Sequence, residues 1–259
     1  MKIGLVSLGC SKNLVDSELM LGALREAGFV ATNELDLAEV LIVNSCGFIE
    51  SAKKESIDAV LRLAEYKQTG ACRVLVLAGC LGQRYSGDLM NELPEVDAIV
   101  GTGAWNRLPE AIQTALQGMR TIFTEGNSIL PDASMPRMRS TPSYLAYVKI
   151  AEGCNHSCAF CAIPQIRGPL VSRTIESIRG SKDSCRSNTS TPIRYSFSLF
   201  SCPSSTCSTA NRRNRLSRSE WEKYSLDRIR SSCERTAAAE TPGGSAAFIA
   251  PAAAGILVS

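Results

Sequence analysis

Three cysteines, Cys154, Cys158 and Cys161, fall in the run EGCNHSCAFCAIP with the spacing C-x-x-x-C-x-x-C. Three thiolates that close can hold a metal cluster, yet an iron–sulfur cube normally takes four protein ligands. A three-thiolate site leaves one iron open, where a small molecule with an amino group and a carboxylate could chelate. An electron from the cluster could then cleave that molecule. Zinc is the rival reading, because close cysteines also make zinc sites, and the sole histidine, His156, lies between the first two ligands. Zinc sites usually set their ligand pairs far apart, whereas all three cysteines fall within residues 154–161.

A second set is Cys10, Cys46 and Cys80. Each directly follows an apolar run: KIGLVSLG (2–9), VLIVNS (40–45) and RVLVLAG (73–79). If these runs are parallel strands, all three thiols stand at strand carboxyl ends, where open α/β sheets bind ligands. Neighbouring strands lie about 4.8 Å apart, so the three could converge on one cluster. The alternative is that they are small buried hydrophobes, as free cysteines often are. Their equivalent placement beside Gly9, Ser45, Gly47 and Gly79 favours ligation. Cys72 precedes its strand and is left out, and Cys185, Cys202, Cys207 and Cys233 receive no role.

The elements that must position these residues alternate over 1–118. After the first strand, NLVDSELMLGALREAG has helical apolar spacing, and Gly28 suits a helix C-terminus. An amphipathic stretch over 48–67 follows the second strand, AIVGTG (98–103) reads as a fourth strand, and NRLPEAIQTALQG closes the unit as a helix. Continuous apolar strands alternating with helices predict an α/β fold with a parallel sheet covered on both faces. Residues 119–143, rich in Pro, Ser and Arg, read as a linker. YLAYVKI then opens a second unit over 144–177 as a strand running into the cysteine motif. Asp16, Glu18, Glu50 and Glu55 read as helix-surface charges, and GTGAW as a strand-end turn with no nucleotide role.

Bulk composition narrows the class. Residues 1–177 carry 16 basic and 19 acidic residues, and 178–259 carry 12 and 6. Neither part is basic enough to argue for nucleic acid on charge alone. The N-terminal apolar stretch is too short for a signal peptide, and no apolar run reaches the roughly 18 residues of a membrane span. A cytosolic protein is expected, in which 11 cysteines point to metal ligation or catalysis before disulfides.

With Phe160 just before its last cysteine, the 152–164 run resembles the signature of the radical S-adenosylmethionine enzymes. That resemblance implies a 4Fe-4S cluster on Cys154, Cys158 and Cys161, with S-adenosylmethionine on the fourth iron and a deoxyadenosyl radical on reduction. An N-terminal α/β domain with three further cysteines is similar to one subfamily, the methylthiotransferases. It implies a second 4Fe-4S cluster, on Cys10, Cys46 and Cys80, that delivers sulfur. SLGCSKNLVDSELM and CNHSCAFCAIPQIRG look most like the RimO type, over residues 2–177. The implied reaction places a methylthio group on the β-carbon of an aspartate in small-subunit ribosomal protein S-twelve. One S-adenosylmethionine would give the methyl and a second the radical. The implied setting is a cytoplasmic monomer served by an electron donor such as flavodoxin or ferredoxin, with no membrane. Two alternatives stay open: a tRNA-adenosine methylthiotransferase of the MiaB type, and a non-catalytic iron–sulfur-binding fragment. Arg167 in PQIRG matches a family position near the cluster loop, and no catalytic role is assigned to it.

The family's (β/α) barrel and its following TRAM domain are not readable past 177. Seventeen serines stand in 178–259 against 14 in 1–177, and no period of 2 or 3.6 is sustained there. The expectation is an unstructured 178–259 tail produced by a slip of the coding frame near Ile178, and poor or absent turnover of the isolated chain. Translating the other two frames of the gene past that codon should restore strand–helix repeats; their absence from both frames rejects the slip.

Overall fold

The computed structural model describes residues 1–184 apart from 125, 127, 128, 143 and 144, together with the backbone at 194–195 and 255–256. Strands and helices alternate from the start: β1 (Lys2–Ser7), α1 (Ser11–Glu26), β2 (Val30–Ala31), β3 (Val40–Ser45), α2 (Glu50–Ala64) and the short α3 (Tyr66–Thr69). They continue as β4 (Val74–Gly79), α4 (Cys80–Glu92), β5 (Ala98–Val100), α5 (Leu108–Leu116) and β6 (Thr121–Phe123).

Strands β1, β3, β4, β5 and β6 lie side by side in that order, all parallel, and β2 pairs with β1 in the same sense. Every residue of β3 and β4 is buried, as expected for strands covered on both faces. Successive side chains point to opposite faces. Val40, Ile42, Val74 and Val76 therefore join α1 and α5 in one apolar layer. Leu41, Val43, Leu75 and Leu77 join α2 and α4 in the other. The expected doubly covered parallel sheet is present.

The chain then departs from a plain linker. β6 lies inside the 119–143 stretch, so the sheet extends past residue 118. Residues 135–140 lie along α1 as a strap: the Met138 N–H donates to the Glu18 carbonyl (2.9 Å), and the Ser140 N–H to the Glu18 carboxylate (2.8 Å). Beyond it come β7 (Leu145–Ala146), β8 (Ala151–Glu152), α6 (Ile163–Arg167), β9 (Val171–Ser172), α7 (Ile175–Ser184) and the pairs β10 (Arg194–Tyr195) and β11 (Gly255–Ile256).

The expected continuous strand over 144–150 resolves into β7 and, after it, β8. β7 pairs in parallel with β10, but β8 pairs antiparallel with β9, making a hairpin whose loop carries the three-cysteine motif. β11 pairs antiparallel with the end of β1. α7 runs through 178 to Ser184; most of the 178–259 tail, with its four cysteines, lies outside the described residues.

Gly79 links β4 directly to α4 with φ of 90°, and a Cβ there would sit 2.3 Å from Asn44 Oδ1 and 2.7 Å from the Ser45 carbonyl. Exposed Gly87 in α4 has nothing within 4 Å of such a Cβ. In urea unfolding, Gly79→Ala should lower stability by about 1–3 kcal/mol through backbone strain and the clash. Gly87→Ala should raise it by about 0.4–1 kcal/mol through the unfolded chain's lost freedom.

Candidate functional site

In the parallel part of the sheet the spatial order is β2, β1, β3, β4, β5, β6, so the strand order reverses between β1 and β3. Open α/β sheets bind ligands in the crevice outside the strand carboxyl ends at such a reversal. Cys10 follows β1 as the residue before α1, Cys46 follows β3, and Cys80 is the first residue of α4, directly after β4. The three are thus delivered to adjacent strand ends, as expected from the sequence. Cys72 lies at the opposite end of β4, its thiol directed at the Val74 carbonyl (3.5 Å).

Small residues let these turns approach. A Cβ on Gly9 would lie 2.8 Å from the Cβ of Cys46, and one on Gly47 would lie 2.8 Å from the Cα of Leu81. Cys10 is exposed, Cys46 half-buried and Cys80 buried. Burial pushes the Cys46 thiol up, with Arg167 among the groups opposing the shift. Burial also pushes up the Cys80 thiol, against the charge and hydrogen bond of the same Arg167.

The second motif sits in the loop between β8 and β9. Cys154 closes the neck of that loop, its N–H donating to the Gly168 carbonyl (3.1 Å), and the Cys161 N–H donates to the Cys158 carbonyl (3.1 Å). The His156 N–H reaches Cys154 Sγ at 3.5 Å, while the residue itself is exposed. Phe160 is 88% exposed. α6 follows immediately, and its Ala162 flank and Ile166 pack on Cys80. Thr102 Oγ1 fixes the helix by donating to the Ile166 carbonyl (2.7 Å). The two cysteine sets therefore adjoin through α6.

Between them lies a group of buried charges. Arg167 Nη1 donates to Asp16 Oδ2 (2.8 Å) and Glu152 Oε2 (3.0 Å), while Lys149 Nζ pairs with Asp16 and with Glu152 (2.6 Å). Lys12, on the solvent side, adds a 3.2 Å contact to Glu152. Burial pushes the Glu152 carboxyl up, but Lys149, Arg167 and Lys12 outweigh it and hold it at about 2. Arg167 Nη2 donates to Asn13 Oδ1 and to Cys80 Sγ (3.2 Å), and Asn13 Nδ2 donates to the carbonyls of Leu8 (3.0 Å) and Ser45 (2.9 Å).

Two sequence expectations are corrected here. Asp16 and Glu18 are not surface charges: they are 4% and 0% exposed, Asp16 under Lys149 and Arg167 and Glu18 under Arg137 and Ser140. α1 is covered on its outer side by the strap and the 149–167 segment, so its polar face is interior. Glu50, paired with Lys53, does stand at the surface, and Glu55 is half-buried. Sequence reasoning also passed over Asn13, Lys149 and Glu152. Their signal was closeness to the motifs, Asn13 just past Cys10 and the other two just before Cys154.

As a donor set, six thiols in two triads suit soft-metal and iron–sulfur ligation. Among the described residues no group of three or more His, Cys, Asp or Glu side chains is gathered as around a single metal ion. The crowding of the three strand-end turns and the thiol chemistry fit a cluster.

Asp16→Asn should cost about 3–5 kcal/mol in urea unfolding, because it leaves two buried cations sharing one carboxylate. Glu50→Gln should stay within about 0.5 kcal/mol, its partner being solvated.

A family described as "Uncharacterized protein family UPF0004" matches residues 2–101. The chain is similar to a protein of Desulforamulus reducens named "Ribosomal protein uS12 methylthiotransferase RimO", 56% identical over 177 residues, which cover 68% of this chain and 40% of that protein. Proteins of the same name from Pelotomaculum thermopropionicum and Heliobacterium modesticaldum are 51% identical over 177 residues and 52% over 178. The aligned stretches cover 68% and 69% of this chain and 40% and 39% of those proteins, so the chain spans about 40% of these relatives.

Proposed function

We propose that the protein, similar over its N-terminal two thirds to methylthiotransferases of the RimO type, takes part in adding a methylthio group to the β-carbon of an aspartate in ribosomal protein S-twelve. Cys10, Cys46 and Cys80 would hold one 4Fe-4S cluster. Cys154, Cys158 and Cys161 would hold the other, whose open iron takes S-adenosylmethionine. When bound, these groups supply the one-electron chemistry that breaks an unactivated C–H bond, together with the sulfur and methyl that replace the hydrogen. The observation that supports the reading is the packing of Ala162, next to Cys161, and of Ile166 on Cys80.

The chain's own residues do the placing. Three parallel strands deliver one triad to a common edge, and the β8–β9 hairpin delivers the other. Asn13 ties the turns before Cys10 and Cys46 together through the Leu8 and Ser45 carbonyls. Arg167, α6 and Thr102 hold the second loop against that edge. A flavodoxin or ferredoxin is the proposed electron donor and the cytoplasm the proposed location, with the protein acting as a monomer. Among the described residues no helix is long and apolar enough to cross a membrane.

The full chain, reconstituted anaerobically with iron and sulfide, should carry about eight irons, four for each cluster, and cleave S-adenosylmethionine under reduction. Replacing Cys154, Cys158 and Cys161 by alanine should leave about four irons and abolish cleavage. Mass spectrometry of S-twelve should show the methylthio adduct on one aspartate. Four irons without cleavage in the unaltered chain would favour a non-catalytic fragment, bound zinc would reject the clusters, and an adduct on tRNA in place of S-twelve would reject the substrate.

A further inference from the structure

We propose that Arg167 is a positioning residue that joins the two cysteine sets and sets the charge environment of the Cys80 sulfur; this rests on the reading of the triads as cluster ligands. Its guanidinium is buried, and its two terminal nitrogens do different work. Nη1 meets Asp16 and Glu152, and Nη2 meets Asn13 and Cys80. Charge balance explains only the first. Asp16 and Glu152 face Lys149 and Arg167, so the buried quartet is neutral, and any cation reaching both carboxylates would serve. Nothing in that balance requires a donor on the Cys80 sulfur.

The Nη2 contacts have their own geometry. Asn13, which accepts from Nη2, donates to the carbonyls of Leu8 and Ser45, so Arg167 is connected to the turns that carry Cys10 and Cys46 as well as to Cys80. On its other side, Arg167 ends the helix that follows Cys161, and it grips Glu152, just before Cys154. One planar fork thus spans both sites, which a lysine ammonium, a single point charge on a flexible stem, cannot reproduce. A hydrogen bond and a positive charge at a ligand sulfur stabilise the more negative, reduced form of a cluster, and such contacts help set cluster potentials.

The test is potentiometric titration of the anaerobically loaded full chain, followed by electron paramagnetic resonance, for the unaltered protein and for Arg167→Lys. Two waves are expected, assigned by chains in which either triad is replaced by alanine. In Arg167→Lys the wave belonging to Cys10, Cys46 and Cys80 should move to more negative potential while the other stays. The thermal midpoint should fall by a few degrees, since the buried charge is kept but the Nη2 contacts to Asn13 and Cys80 are lost. If the lysine variant does not fold, Thr102→Val answers: it keeps every buried charge but frees the Ile166 carbonyl that fixes the helix carrying Arg167, and the same wave should move in the same direction. An unmoved wave, or a shift confined to the cluster of Cys154, Cys158 and Cys161, overturns the inference while leaving the function intact. Failure of the unaltered chain to take up iron and sulfide, seen in metal analysis before any titration, sinks the functional reading and this inference with it.

Discussion

The buried charge group of Asp16, Lys149, Glu152 and Arg167 is the constraint on which the rest of the site depends. Taking four charges out of water costs several kcal/mol per ion unless each finds its counter-charge and its hydrogen bonds. Within the group each carboxylate meets two cations and each cation two carboxylates, and Lys12 adds a third cation to Glu152. Removing any one member leaves an uncompensated charge, so the group resists partial formation. Two of its members come from the 149–152 stretch, one from α6 and one from α1. Satisfying them forces the second segment to lie on the first in a single way. Buried ion pairs are weak sources of net stability, but in this arrangement they define a register.

That register decides the chemistry open to the thiols. Desolvation opposes a thiolate at Cys46 and Cys80, so a nearby cation is needed for either to ionise. Arg167 is one such cation, and a bound metal is another, since a coordinating thiol is deprotonated. Cys10, at the exposed mouth, does not share this burial. The triad therefore grades from a solvated thiol to a buried one across adjacent strands. A cluster held there would have one face open and one face against protein.

Legibility from sequence followed the range of the interactions. β1, β3 and β4 were readable because an apolar run is a local signal, and the cysteines at their ends inherited that clarity. The burial of Asp16 and Glu18 was not readable. Their partners, Arg167 and Arg137, lie 151 and 119 residues away, and on α1 alone a carboxylate at those positions looks solvated. α4 was missed for a related reason: it begins on Cys80 itself, and its CLGQRYSGDLMNE carries two glycines and a kink at Tyr85. The stretch read as one strand from residue 144 divides into β7 and β8, because YLAYVKI is apolar except for Lys149, whose buried pairing with Asp16 and Glu152 is long-range and invisible to a local pattern. An apolar run reports burial, and it leaves open whether the backbone is paired and with which sense.

The short helix α6 explains why so small a segment can matter to both sites. Five residues make too few internal hydrogen bonds to persist alone, so its position is borrowed from its surroundings. Thr102 takes its carbonyl, Ile166 rests on Cys80, and Arg167 is anchored in the charge group. Gly168, with φ of 73°, then turns the chain so that its carbonyl receives the Cys154 N–H. The end of the helix and the neck of the cysteine loop are one structure. A displacement of Arg167 would move Cys154 on one side and uncover Cys80 on the other, so the two triads cannot be placed independently of each other.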